Sequence, residues 1–161
     1  MPAFRFRLQT LLEMRQRETK QAEELVTARK NELAQAEEEM RSLERKASEW
    51  DETIRRTRRE FANSTVASGD VLREHRDHIR SLEFQREAAK EAVVAFRSPL
   101  QQAQQRVLEA EAKLAECRKQ EEILVKFREK QEQKFLRGEE LREDLESDEL
   151  GTMMYLGRKT Q

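Results

Sequence analysis

The chain has 161 residues, 40% of them charged, a mean hydropathy of −1.01, four Gly and two Pro. That leaves too little apolar side chain for a globular core and too few turn formers for a loop-rich fold, and it is the composition of long helices or coiled coil. The 32 basic and 33 acidic residues nearly cancel, so no global field draws the chain to nucleic acid or an anionic membrane. No apolar run approaches the roughly 20 residues that span a bilayer. The opening Met1 to Arg7 lacks the apolar stretch and cleavage site of a secretory signal, and one Cys fits a reducing cytoplasm.

A first helix is expected over 8–62. Steps of four and three from Leu8 give Leu12, Arg15, Thr19, Ala22, Val26, Arg29, Leu33, Ala36, Met40, Leu43, Ala47, Trp50, Ile54, Thr57 and Phe61. Most are apolar and the register never slips, which is the 3.5-residue seam of a left-handed coiled coil. Acid–base pairs such as Glu13–Arg17, Glu37–Arg41 and Glu52–Arg56 keep the outer faces soluble.

A turn is expected over 63–70, Asn-Ser-Thr-Val-Ala-Ser-Gly-Asp. Asn and Ser compete for backbone hydrogen bonds, Thr and Val are stiff at χ1, and Gly costs about 1 kcal/mol in a helix interior. Ser68 or Asp70 is placed to cap the helix that follows.

The second helix is expected over 71–145, with a seam from Leu72 through His75, Ile79, Leu82, Arg86, Ala89, Val93, Phe96, Leu100, Ala103, Val107, Ala110, Leu114, Cys117, Glu121 and Leu124. Beyond Cys117 it turns patchy, with Arg128, Gln131 and Gly138 on it and Ile123, Phe127 and Phe135 offering other faces. Pro99 predicts a local kink. An acidic run from Glu139 to Glu149, seven acids against Arg142, leads into a flexible tail over 146–161 that carries Leu150, Met153, Met154 and Tyr155.

Folded about the turn, the seams pair as Phe61–Leu72, Ile54–Ile79, Trp50–Leu82, Leu43–Ala89, Met40–Val93 and Leu33–Leu100, with small residues often facing large. The expected fold is all-α, one long antiparallel two-helix coiled-coil hairpin over 1–161. The alternative is a parallel homodimer.

Little in the chain carries chemistry. His75 and His78 lie three apart, but a metal site needs three or four ligands and no cluster completes one. Cys117 sits on the seam as a small hydrophobe. Arg55, Arg56, Arg58 and Arg59 are interspersed with acids and lack a stacking platform for bases. No phosphate loop, nucleophile–base pair or carboxylate cleft is present, so neither enzyme activity nor a cofactor is expected. Trp50 is large for a two-helix seam and is expected to stay partly exposed, close to Leu82 and Phe84.

The opening Phe4-Arg5-Phe6-Arg7-Leu8-Gln9-Thr10-Leu11-Leu12-Glu13-Met14-Arg15 resembles the export-stalk family of type III secretion systems, the flagellar FliJ proteins and their injectisome relatives of the YscO type. It follows the flagellar pattern Phe-basic-Phe-basic-Leu-Gln-x-Leu-Leu-x-x-Arg. The two-arm length, the Ser/Gly turn and Asp148-Glu149-Leu150 fit as well, while Leu150-Gly151 followed by Met153 and Met154 leans toward the injectisome branch. The resemblance implies a hairpin similar to the rotor stalk of rotary ATPases, lying in the cytoplasm peripheral to the inner-membrane export apparatus. Its terminal end would enter the secretion ATPase hexamer and promote its assembly and activity. The turn end would reach the cytoplasmic domain of the export-gate membrane protein, and export chaperones would be further partners. Carried onto this chain, Phe4, Arg5, Phe6, Arg7, Leu8, Leu11, Leu12 and Arg15, with Leu124 facing them, form the ATPase end. Leu43, Trp50, Ile79 and Leu82 serve the export gate. The competing readings are a homodimeric spacer with no ATPase partner and a chaperone for secreted substrate.

Overall fold

The computed structural model describes residues 3–65 and 68–159. Val66 and Ala67, inside the expected turn, and Thr160 and Gln161, at the end of the expected tail, lie outside the described residues. The fold is all-α. Helix α1 spans Gln9–Ala62 and α2 spans Gly69–Lys159, and the two pack against each other antiparallel as a helical hairpin. Among the described residues there is no strand.

The hydrophobic period decides which faces meet. Every expected seam position of α1 from Leu12 to Phe61 is buried or half-buried, and so is every one of α2 from His75 to Leu124. The row continues through Arg128, Gln131, Phe135 and Gly138. Phe135 thus belongs to the seam, four residues beyond Gln131, rather than to another face. Leu72 is the exception at 47% exposed, because the last aromatic ring of α1 is engaged further along α2. Phe61 stacks on His75 with ring centroids 3.7 Å apart and planes 9° from parallel, three residues past the expected Leu72. Side chains on a helix lean toward its N-terminus. In an antiparallel pair that lean carries Phe61 away from the turn and His75 back toward it, so the rings meet at a larger number than a backbone count gives.

The connection is fixed at both ends. Ser64 donates its N–H and its Oγ hydrogen to the carbonyl of Phe61, at 3.1 and 2.8 Å, and closes α1. Ser68 accepts the N–H of Leu72 on its carbonyl at 3.1 Å and the N–H of Val71 on its Oγ at 3.4 Å. Of the two candidate caps it is therefore Ser68 that starts α2, and Gly69 and Asp70 fall in the first turn of the helix rather than in the connection.

The chain falls into two compact units. One comprises Glu24–Ala112 and contains the connection. Its core is Val26, Ile54, Leu82, Val107 and Ala110, with Ile54 only 2% exposed. Ion pairs cross from helix to helix at Lys30–Glu111, Asp51–Arg86 and Arg58–Glu83, at 3.0, 3.7 and 2.6 Å. Exposed pairs of this kind contribute about 0.2–1 kcal/mol each, so they mark the register more than they hold it. Pro99 lies within α2 and is exposed, and the helix continues through it without interruption. The lost hydrogen bond to Ala95 is one among many in a helix of 91 residues.

The other unit comprises Met1–Glu23 and Lys113–Gln161. Leu12, Ala22 and Leu114 form its core with Thr19, whose hydroxyl donates to the carbonyl of Arg15 at 3.0 Å and so is satisfied although buried. Glu23 and Arg118 pair across the helices at 3.1 Å. Here α2 runs on to Lys159, beyond the end expected at Leu145. Local terms favour the extension. The last turn carries Arg158 and Lys159 against the negative end of the helix dipole, and Lys159 lies 5.1 Å over the ring of Tyr155. Gly138 sits inside α2, where an added Cβ meets nothing within 4 Å. Gly138→Ala is accordingly expected to raise stability by about 0.5–1 kcal/mol, through the backbone entropy of the unfolded chain. Urea denaturation followed by circular dichroism checks this, and a lower midpoint would mean that Gly138 has a packing role.

Candidate partner-binding end

The residues ahead of α1 alternate in type and in burial. Phe4, Phe6 and Leu8 are half-buried, while Arg5 and Arg7 are exposed. The alternation in burial divides the Phe-Arg-Phe-Arg order into an apolar side and a basic side. The apolar side lies on α2. Phe4 packs against Phe135 with centroids 5.7 Å apart at 50°, and Phe6 against Phe127 at 6.0 Å and 58°. Tilted pairs of this geometry contribute about 0.5–1.5 kcal/mol beyond their buried area. The segment then enters α1 through the N–H of Gln9, which donates to the carbonyl of Phe6 at 3.1 Å.

The expected ATPase-end residues therefore divide into layers. Leu12 is 2% exposed and belongs to the core. Leu8, Leu11 and Leu124 are half-buried, and Arg15 is half-buried with its guanidinium paired to Glu18 at 2.9 Å. Arg5 and Arg7 make no ion pair among the described residues, and with Phe4, Phe6, Phe127 and Gln131 they line an open groove. Two free guanidinium groups beside a strip of aromatic edges suit a partner surface that is acidic and apolar together. Phe127 and Phe135 were not among the expected site residues. The seam spacing offers Phe135, and folding the chain about the turn brings Phe6 close to Phe127, but nothing local to either residue points to the opening segment.

The residues expected to serve the export gate lie in the Glu24–Ala112 unit. Leu43, Trp50 and Ile79 are half-buried, and Leu82 is 9% exposed. Phe84, two residues from Leu82, is 72% exposed and is the accessible aromatic of that stretch. Most of the other candidate groups have structural places, while His78 and Arg56 are exposed. His75 stacks on Phe61, and Cys117 is half-buried on the seam. Arg55 and Arg59 both pair with Glu52, and Arg58 pairs with Glu83. No group of three or more His, Cys, Asp or Glu among the described residues is placed to hold a metal. No helix among them is long and apolar enough to cross a membrane.

Such a chain is a helical-hairpin protein. Its sequence matches the family model described as YscO-like protein over residues 3–161, so the chain belongs to the YscO-like family. That family makes it a type III secretion-associated protein. The solved structure of CT670 from Chlamydia trachomatis, a proposed YscO homolog, is similar in fold with a TM-score of 0.79, 20% identity and 99% of each chain covered. Comparison with curated protein sequences gives no match.

Proposed function

We propose that this chain is a stalk component of a type III secretion apparatus, cytoplasmic and peripheral to the inner membrane. In this reading the end built from Phe4 to Arg15 and the facing part of α2 binds the hexameric secretion ATPase and promotes its assembly and activity. The stretch around Trp50 and Leu82 serves the cytoplasmic domain of the export-gate protein, and export chaperones are further partners. The observation that supports the reading most is the clasp of Phe4 and Phe6 on α2. A spacer coiled coil has no use for an aromatic-anchored segment ahead of its first heptad that holds Arg5 and Arg7 out to solvent. With Leu12 in the core, the contact is carried by the two arginines and the exposed edges of the two rings, while Leu12 acts by holding the helices together.

A photo-crosslinking residue placed at Arg5 or Arg7 of the full chain is expected to capture the cognate ATPase in cell extract and with the purified enzyme. One placed at the exposed Val94 (59% exposed), in the other unit, is expected to give none. Equal yields at the three positions, or none at any, would leave the spacer reading standing.

A further inference from the structure

We propose that the face of α2 carrying Phe127, Gln131 and Phe135 is a peptide seat, covered in the free chain by its own opening segment. The ligand it takes is a segment of a partner protein that alternates aromatic and basic side chains, as the opening segment does. The three residues follow one another at i, i+4 and i+8, so they form a row about 80° wide along the helix. Phe4 and Phe6 sit on the two rings of that row, with centroids 5.7 and 6.0 Å away. Glu132, Glu139 and Glu143 form a second row, about 40–80° round the helix from Phe135, and line the groove beside it. Glu139 pairs with Arg142 at 2.8 Å, while Glu132 and Glu143 make no ion pair among the described residues. Rings on one row and carboxylates on the next suit a ligand that is apolar and basic together.

The present occupant shows both the chemistry of the ligand and how loosely it is held. Among the described residues no hydrogen bond joins residues 3–8 to α2. The backbone bonds of that stretch run instead to Gln9 and Leu12 of α1, whose N–H groups donate to the carbonyls of Phe6 and Leu8. Phe4 borders two separate open grooves, one shared with Phe127 and Gln131 and the other with Phe135 and Leu136. Phe127 stays 42% exposed even with Phe6 against it. Two half-buried rings must therefore offset the conformational entropy of the whole ordered segment, a close balance that a second segment of the same kind can tip. An acidic segment would meet the carboxylates of the second row, and a bare polycation has nothing to lay on the rings. The inference does not rest on the ATPase reading, because the seat and its strap belong to this chain and are tested without the ATPase.

The test uses the full chain with Phe4→Ala and Phe6→Ala, which empties the seat, and a peptide with the sequence of residues 3–8 as the probe. Amide chemical shifts in a nuclear magnetic resonance titration are the readout. A tethered segment acts at roughly millimolar effective concentration, so saturable shifts at Phe127, Gln131 and Phe135 are expected with half-saturation at or below about 1 mM. In the wild-type chain the strap competes, and one closed at least about nine-tenths of the time raises the half-saturation at least about tenfold. Peptides with both phenylalanines replaced by alanine, or both arginines by glutamate, should bind at least about fivefold more weakly. Adding Phe127→Ala and Phe135→Ala to the emptied chain should abolish the shift at Gln131. Circular dichroism should stay unchanged, because Ala is the best helix former. Equal half-saturation in the wild-type and emptied chains would overturn the proposal, and so would binding that survives loss of the seat rings or ignores the arginines. A wild-type dimer in sedimentation that Phe4→Ala with Phe6→Ala abolishes would overturn it too, since the seat would then take the strap of a second copy.

Discussion

Ile54→Ala is expected to destabilise the protein by about 3–4 kcal/mol, read from urea denaturation by circular dichroism. Ile54 is 2% exposed on the seam face of α1, and truncation removes three carbons whose cavity the two helices can close only by giving up neighbouring contacts. Leu12→Ala should cost a similar amount in the other unit, where Leu12 is also 2% exposed. Leu108→Ala is the matched control. Leu108 lies in α2 next to the buried Val107 but is 60% exposed, so its truncation should stay within about 0.5 kcal/mol. Against total stabilities of about 5–15 kcal/mol, the first two substitutions are large and the third is slight. If all three cost alike, the faces of the two helices have been assigned wrongly.

Phe4→Ala combined with Phe6→Ala is expected to weaken the complex with the cognate secretion ATPase by about thirtyfold or more, on the proposed reading. Buried aromatic and Arg anchors carry about 2 kcal/mol each at binding hot spots, and 1.4 kcal/mol is a factor of ten. The double variant also removes the contacts with Phe135 and Phe127, so it releases the segment that presents Arg5 and Arg7. A second variant separates anchoring from contact. Arg5→Glu with Arg7→Glu alters two exposed side chains that make no ion pair among the described residues, and it should leave the stability within about 0.5 kcal/mol. On the stalk reading it still loses ATPase binding. If the aromatic variant loses binding and the arginine variant does not, the segment matters only as a fastening for the hairpin.

The fold was legible because its main signal is periodic. The step of four and three from Leu8 to Phe61, and from His75 to Leu124, needs nothing beyond the helix repeat and the contrast between Leu12 and its charged neighbours, and burial follows it residue by residue. What the period does not contain is the lean of side chains, so His75 rather than Leu72 receives Phe61. It also does not set where a helix ends when nothing covers it. The acidic run and Gly151 read as a fraying tail, whereas the basic last turn and the Lys159 contact with Tyr155 favour α2 continuing to Lys159.

The candidate site was legible in one half. Alternation of Phe and Arg marks Phe4 to Arg7 as a special opening, but its seat on Phe127 and Phe135 joins residues more than a hundred positions apart through a segment with no helical period. Leu12, read as part of the same motif, turned inward because it also occupies a seam position. One residue can satisfy a motif and a heptad at once, and burial shows which demand its side chain meets.

The measurement that bears most directly on the stalk reading is ATP hydrolysis by the secretion ATPase of the same organism, titrated with the full chain. A saturable rise in hydrolysis, absent with the Arg5→Glu and Arg7→Glu variant, is the result this account predicts. Unchanged hydrolysis across the titration, with chain and ATPase migrating separately on a sizing column, would contradict it.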